Sequence, residues 1–291
     1  SALPSCHPVL AMLRAPLRAW SVQLAGSLPQ RRRLAWVTAR LPAHGRRCRA
    51  VATACTDAAE RSRLRAEIAQ TSLRVAIGCI TEVQGVDAIV NCANEHLVGT
   101  QLPYINLDGS GGCVFDCVDK LIHSRAGPLL HEACMALDVV RESEDPRWGG
   151  IRCPVGEART TGAFELSNCS HVVHVVGPQW PGSADELQEA YRSCIAAAQR
   201  EPGGAVRRLA VPAISAGIQQ WPRDMSWAAA VEVFGGHLLE SAVRGPSGQA
   251  SPPARGLERI VLAAFDGASG REAEECIRRW ADGTLTEEGL L

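Results

Sequence analysis

Asn91 and Asn94 close the run Asp87-Ala-Ile-Val-Asn-Cys-Ala-Asn94, and Asp119 opens Val118-Asp-Lys-Leu-Ile-His123. The first run reads as a buried strand ending in two amides. The second reads as the first turn of a helix that continues through Arg125-Ala-Gly-Pro128. Amides at a strand's C-terminal end, facing a carboxylate at a helix N-terminus, make a polar cleft of the kind open α/β sheets use for ligands. A second segment, Ile214-Ser-Ala-Gly-Ile-Gln219, follows another strand. Its small residues Ser215, Ala216 and Gly217 let backbone N–H groups approach an anion, and Gly217 permits a positive φ. A carboxylate beside a bound anion suits the positioning of a water, and general-base help of that kind contributes ~10²–10⁴-fold. Each feature also has a plain structural reading. An Asp in a helix first turn is favoured by the macrodipole by ~0.3–1 kcal/mol, an Asn at a strand end caps a turn, and the 214–219 segment is an ordinary βα turn.

The elements that must position these residues follow from periodicity. Leu73 to Ile77 alternates as a strand, with a turn at Gly78-Cys79-Ile80-Thr81, and Val86 to Val90 is a fully buried strand. Val118 to Leu137 predicts a helix interrupted near Gly127-Pro128. His171 to Val176 predicts a strand ending at Gly177-Pro178. Ser183 to Arg200 predicts an amphipathic helix with Leu187, Tyr191, Cys194, Ile195 and Ala198 on one face. Arg208 to Val211 is a strand, Ser226 to Ser241 a helix, Arg259 to Phe265 the last strand and Arg271 to Trp280 the last helix. Strands alternating with helices give an α/β fold with a largely parallel central sheet.

Thr100 to Gly112 and the low-complexity stretch over 244–256 read as insertions into a domain spanning 71–291. Residues 1–70 differ. No Asp or Glu precedes Asp57, whereas Arg occurs nine times before it. Leu13, Leu17, Trp20 and Leu24 recur at helical spacing, with Arg14 and Arg18 on another face. An Arg-rich, acid-poor amphipathic start predicts a mitochondrial transit peptide with Met12 as initiator, a helical appendage and a cytoplasmic location being the alternatives.

A net charge of −1 does not indicate a general nucleic-acid binder, and an aromatic content of 4% argues against base-stacking platforms. Twelve cysteines without a small-scaffold framework read as reduced thiols or metal ligands. No apolar run reaches the length of a membrane span. Gly-x-Gly-x-x-Gly, Walker and nucleophile-elbow motifs are absent.

The Asn91/Asn94 strand end, the Val118-to-His123 helix start, Cys153-Pro-Val-Gly-Glu-Ala-Arg159 and Val211-Pro-Ala-Ile-Ser-Ala-Gly-Ile218 together resemble the macrodomain family over about residues 73–280. The resemblance implies a three-layer α/β/α sandwich with a mixed, largely parallel sheet. It also implies ADP-ribose or ADP-ribosylated proteins as partners. Ile80, Asn91, Asn94, Val118, Ser215, Ala216, Gly217, Ile218, Gln219 and Phe265 would line the cleft. Asn94 would contact the distal ribose, and Asp119 would orient a water that removes ester-linked ADP-ribose from Asp or Glu or deacetylates O-acetyl-ADP-ribose. A reader module without turnover is the alternative. Trp221-Pro222 fits the family's aromatic-Pro pair, while Gln219 and Gln220 stand where an aromatic usually packs on the ribose. Cys79 stands where the family has an Asp that hydrogen-bonds the adenine amino group, and a thiol is a poor acceptor. Phe265 matches an aromatic that stacks on adenine, core packing being its alternative, and Asp266 is a candidate replacement for the missing carboxylate.

Gly111-Gly112-Cys113-Val114 offers a competing register that moves the acid to Asp116. Asp119 is preferred because only its register places Ile122-His123 at the expected offset. Cys117 before Val118-Asp119 also resembles a zinc-containing branch of the family. The upstream ligands do not match: Thr100 lies near the expected Cys and Phe115 holds the expected His position. Cys113, Cys117 and His96 are the remaining zinc candidates, and no other cofactor is implied. His131-Glu132 lacks a second zincin His and reads as helix surface. His171 and His174 read as structural strand histidines. No heptad or large apolar pattern points to an obligate dimer, so a monomer is expected.

Overall fold

The computed structural model describes residues 47–100, 117–144, 149–201, 206–244 and 256–285, with side chains described from residue 58 onward and not at residue 244. The elements are α1 (Arg47–Thr71), β1 (Leu73–Ile77), a 3-10 turn (Ile80–Glu82), β2 (Ala88–Cys92), α2 (Val118–Ala126), α3 (Pro128–Ala136), β3 (Ala158–Gly162), β4 (His171–Val175), α4 (Ala184–Arg200), β5 (Arg208–Val211), α5 (Arg223–Arg244), β6 (Arg259–Ala264) and α6 (Gly267–Ala281). The Arg-rich stretch before residue 47, the insertion at 101–112 with Cys113, Phe115 and Asp116, and the 245–255 stretch lie outside the described residues.

Six strands form one sheet in the order β1-β6-β5-β2-β4-β3. All neighbours are parallel except β3 against β4. The α/β fold with a mixed, mostly parallel sheet is therefore observed. The strand expected over 86–90 begins and ends two residues later. The edge strand β3 was not expected as an element: its sequence Ala-Arg-Thr-Thr-Gly carries no apolar alternation, and pairing with β4 alone makes it extended. The last two helices begin earlier than periodicity predicts, at Arg223 and Gly267, because polar first turns carry no apolar signal.

Period-2 alternation sends the two halves of each strand to different layers. Ala88 and Val90, Val173 and Val175, and Leu209 and Val211 face one core with α1, α4, α5 and α6. Ile89, Val172 and Ala210 face a second core under α2 and α3. Ile68 at the end of α1 is buried in the larger core, so this helix packs as part of the layer. Ser183 closes a capping box with Glu186 at the start of α4. Gly127 ends α2 at φ 76°, and Pro128 opens α3 directly behind it.

Trp280 of α6 is buried against α5, and the Arg65 guanidinium of α1 lies 5.5 Å from its ring centre. The close approach of α5 depends on Gly235, where a Cβ would meet the Trp280 ring at 2.6 Å. Gly235→Ala is expected to destabilise the fold by about 1–3 kcal/mol through overpacking, despite the better helix propensity of Ala. Urea unfolding of both proteins checks this; an unchanged midpoint would mean that Trp280 moves freely.

Candidate functional site

The C-terminal ends of five parallel strands lie side by side, and the chemistry-bearing residues sit there. Asn91 of β2 and His174 of β4 are register partners. Alternation turns both toward α2, whose first turn carries Asp119. All three are buried, at 0%, 0% and 2% exposure. Burial of this kind requires matched hydrogen bonds, and the contacts supply them at every side-chain polar atom of the three except Asn91 Oδ1, which has no partner among the described residues. Asn91 Nδ2 donates to Asp119 Oδ1 at 2.7 Å, and the Thr100 hydroxyl donates to Asp119 Oδ2 at 2.7 Å. His123 Nε2 lies 3.5 Å from Asp119 Oδ1, one helical turn on.

The donor pattern fixes a proton. The atom 2.7 Å from the carboxylate must be the Asn91 nitrogen, because an oxygen there would face another acceptor. That nitrogen also lies 3.1 Å from His174 Nδ1, so Nδ1 accepts. His174 Nε2 therefore carries the hydrogen and donates to Thr161 Oγ1 at 2.9 Å, while Thr161 donates to the Gly162 carbonyl. Burial, with His123 nearby, pushes His174 down to about 3, so the ring is neutral. Burial also lowers His123, against the opposing pull of Asp119.

His123, Cys134 and His174 each bring a nitrogen or sulfur within 4.8 Å of the others. This is the one such metal-capable group among the described residues, yet its hydrogen bonds do not fit a metal. The His174 atom facing Cys134 at 3.7 Å is the protonated Nε2, and burial holds the Cys134 thiol up at about 12. Of the sequence-based zinc candidates, only Cys117 and His96 fall among the described residues. Cys117 is the N-cap residue of α2, His96 Nδ1 lies 2.9 Å from the Gly150 carbonyl, and Cys113 is outside the described residues.

The 214–220 loop is anchored from below. Tyr191 O–H donates to Ser226 Oγ at 2.7 Å, Ser226 donates to the Ile214 carbonyl at 2.7 Å, and Ile214 N–H donates back to Tyr191 at 2.9 Å. Ser215 then takes φ 64°, a left-handed conformation that costs a non-glycine residue ~1–2 kcal/mol. The expected positive φ at Gly217 is absent; Ser215 and Gln220 make the turn instead, because Ile214, anchored three residues past the end of β5, sets the direction in which the chain leaves it. Gly177, two residues past the end of β4, allows close approach, since a Cβ there would collide with Ser215 Oγ. The backbone N–H groups of Gly217, Ile218 and Gln219 take no partner among the described residues. Trp180 N–H holds the Gln219 carbonyl at 2.8 Å, and its ring packs edge-on to buried Trp221 at 5.0 Å.

The remaining expected residues divide. The Asn94 carboxamide is engaged in its own loop, accepting from His96 and Val98 N–H and donating to the Gly99 carbonyl. Ile80 is buried in the α2/α3 core with Val118 packed against that core. Phe265 is 58% exposed just beyond β6, which removes the core-packing alternative. Asp266 caps α6, accepting from Ser269 N–H at 2.7 Å, so its carboxylate is committed to the helix. Cys79 Sγ is 3.0 Å from Thr81 Oγ1 and 3.6 Å from Arg125. Cys92 faces the loop; burial raises its thiol to about 12 against a hydrogen bond from the Ser215 backbone. Sequence reasoning missed Thr100 as a partner of Asp119, and Tyr191 with Ser226 as the loop's support. The signals were a hydroxyl directly after Gly99 and a lone Tyr on an otherwise apolar helix face.

The Macro domain family model matches residues 90–230. A macro domain-containing protein of Xanthomonas axonopodis pv. citri is 39% identical over 149 residues, 50% of this chain and 68% of that one. The O-acetyl-ADP-ribose deacetylase of Salmonella gallinarum is 36% identical over 175 residues, 59% of this chain and 82% of that one. Among solved structures, a Trypanosoma brucei macrodomain in complex with ADP-ribose is 26% identical with a TM-score of 0.50, covering 71% of this chain and 69% of that one. An Oceanobacillus iheyensis macrodomain with ADP is 23% identical with a TM-score of 0.52, covering 72% and 92%, a likeness of fold.

Two outcomes follow from the site. Tyr191→Phe should cost about 1–3 kcal/mol, because buried Ile214 N–H loses its acceptor; thermal unfolding checks it, and no loss would mean that water replaces the hydroxyl. His174 has a folded pKa far below the unfolded 6.5, so the unfolded chain binds the extra proton between these values. Its stabilising contribution is complete above pH 6.5 and declines as pH falls toward about 3. The expected slope between pH 6.5 and about 4 should flatten in His174→Gln, measured by denaturant midpoints across pH.

Proposed function

The chain belongs to the macrodomain family, and from that membership we propose that it binds ADP-ribose and hydrolyses an ester on it. The observation that carries this reading is Asp119: a carboxylate fixed by Asn91 and Thr100 at the carboxyl edge of the sheet, near a loop with three unpartnered N–H groups. That loop is suited to a diphosphate. A carboxylate has about four acceptor directions, and the two short hydrogen bonds on Asp119 leave others that a water entering past partly exposed Thr100 would use. The reaction adds water across the ester. The water oxygen bonds to the acyl carbon, the bond from that carbon to the ribose oxygen breaks, and the proton passes to the departing ribose oxygen. The similarity to a protein named O-acetyl-ADP-ribose deacetylase supports an ester substrate; mono-ADP-ribosylated Asp or Glu on proteins presents the same linkage.

One observation favours a second reading, a binding module without turnover. Both Asp119 oxygens already accept protein hydrogen bonds, and Asn94 is committed to its own loop. Calorimetric titration with ADP-ribose and a hydrolysis assay on O-acetyl-ADP-ribose separate the two. Asp119→Asn keeps the shape of the buried network. It should lower turnover by about 10²–10⁴-fold while holding ADP-ribose affinity within a few fold. Binding without turnover in the wild type would establish the reader, and no binding at all would overturn both readings.

A further inference from the structure

A cavity of about 590 Å³ forms a trench between the crossover loop after β1 and the sheet face of β1 and β6. Arg74, Arg208 and Arg259 line it, above a floor that includes Ala76 and Val261. Arg208 and Arg259 are register partners, so like charges stand side by side on adjacent strands. Arg208 is neutralised by Asp87, which also accepts from the backbone N–H groups of Arg207 and Arg208. Glu82 in the trench wall is held by Arg125. Arg74 and Arg259 are exposed and have no acidic partner among the described residues.

The same trench runs along an open sheet edge. Among the described residues, β1 pairs with β6 alone. Ser72 and Gly78 both bond toward β6, accepting from Ile260 and donating to Ala264. In a parallel strand alternate residues point their N–H and C=O the same way. Leu73, Val75 and Ile77 therefore present their backbone groups to the outer edge, where no described residue meets them. An unpaired edge is a template for a further strand, and native sheets commonly defend it with charge. Here the charge left without an opposite partner among the described residues, on Arg74 and Arg259, is of one sign and lies on one face of the template.

We infer that β1 accepts an added strand from a partner, an extended peptide segment with acidic side chains at alternate positions. Backbone hydrogen bonds to Leu73, Val75 and Ile77 supply the register, and every second side chain falls on the trench face beside Arg74 and Arg259. Charge selects against the chain's own N-terminal stretch as occupant, since that stretch has no acid before Asp57. The inference is independent of the proposed hydrolysis, because Asp119 and the 214–220 loop take no part in it.

The test is fluorescence anisotropy of the full chain with a labelled peptide alternating glutamate and valine. Inorganic pyrophosphate serves as competitor. Val75→Pro removes an outward N–H, a substitution that edge strands tolerate, and Arg74→Glu with Arg259→Glu reverses the charge. Each variant should weaken binding about tenfold or more while ADP-ribose titration stays unchanged. Hydrogen exchange on the unsubstituted protein avoids any folding defect: peptide should slow exchange at Val75 and Ile77. No peptide binding, unchanged exchange at these two amides, or binding that pyrophosphate abolishes and Val75→Pro leaves intact would overturn the inference.

Discussion

One amide nitrogen, Asn91 Nδ2, sits between a carboxylate and an imidazole, and the rest of the site depends on how its two hydrogens are shared. One goes to Asp119 and the other to His174. A buried carboxylate without donors would take up a proton or draw in water. Here Asn91 and Thr100 each donate to one of its oxygens. The imidazole on the far side must in turn be neutral and of one tautomer, and Thr161 supplies the acceptor that selects it. Four elements, β2, β3, β4 and α2, are thereby joined through side chains as well as through their packing.

This constraint explains why the cluster of His123, Cys134 and His174 is not a metal centre despite its spacing. Ligand atoms must present lone pairs toward a common point. In this molecule the nearest imidazole nitrogen presents a hydrogen, and the partner that would have to turn over, Asn91, is held by Asp119. Proximity and chemistry separate here, and counting donors decides between them.

Much of the fold was legible because its strands are short apolar runs with sharp ends. Leu73–Ile77 and Arg208–Val211 lie where alternation places them, and α2 and α3 break at Gly127 as the Gly-Pro pair requires. The edge strand β3 was not legible, since an Arg-Thr-Thr segment becomes extended only by pairing with β4. At the site, residue type singled out Asp119 and the loop as candidates but gave no geometry. Gly217 was the natural candidate for the left-handed turn, yet Ser215 makes it, because the position of that turn is set by a Tyr and a Ser distant in sequence. Asn94 has the right type and place, but three local hydrogen bonds claim its carboxamide. A side chain's type can be read from the chain; its partners depend on contacts across elements.

The ring of hydrogen bonds joining Tyr191, Ser226 and Ile214 divides the 214–220 loop mechanically. Its base is continuous with the largest core, so it can open only when α4 and α5 separate. Its tip at Gly217, Ile218 and Gln219 is closed by Gln220 N–H on the Gly217 carbonyl and tied to Trp180 through the Gln219 carbonyl, while its three N–H groups take no partner among the described residues. The loop thus behaves as a hinge with a welded root. The three N–H groups of the tip are left without partners among the described residues, while the root from which the tip extends is fixed by side chains of α4 and α5. Tolerance at the tip and precision at the root are compatible because they belong to parts of the loop with different stabilities.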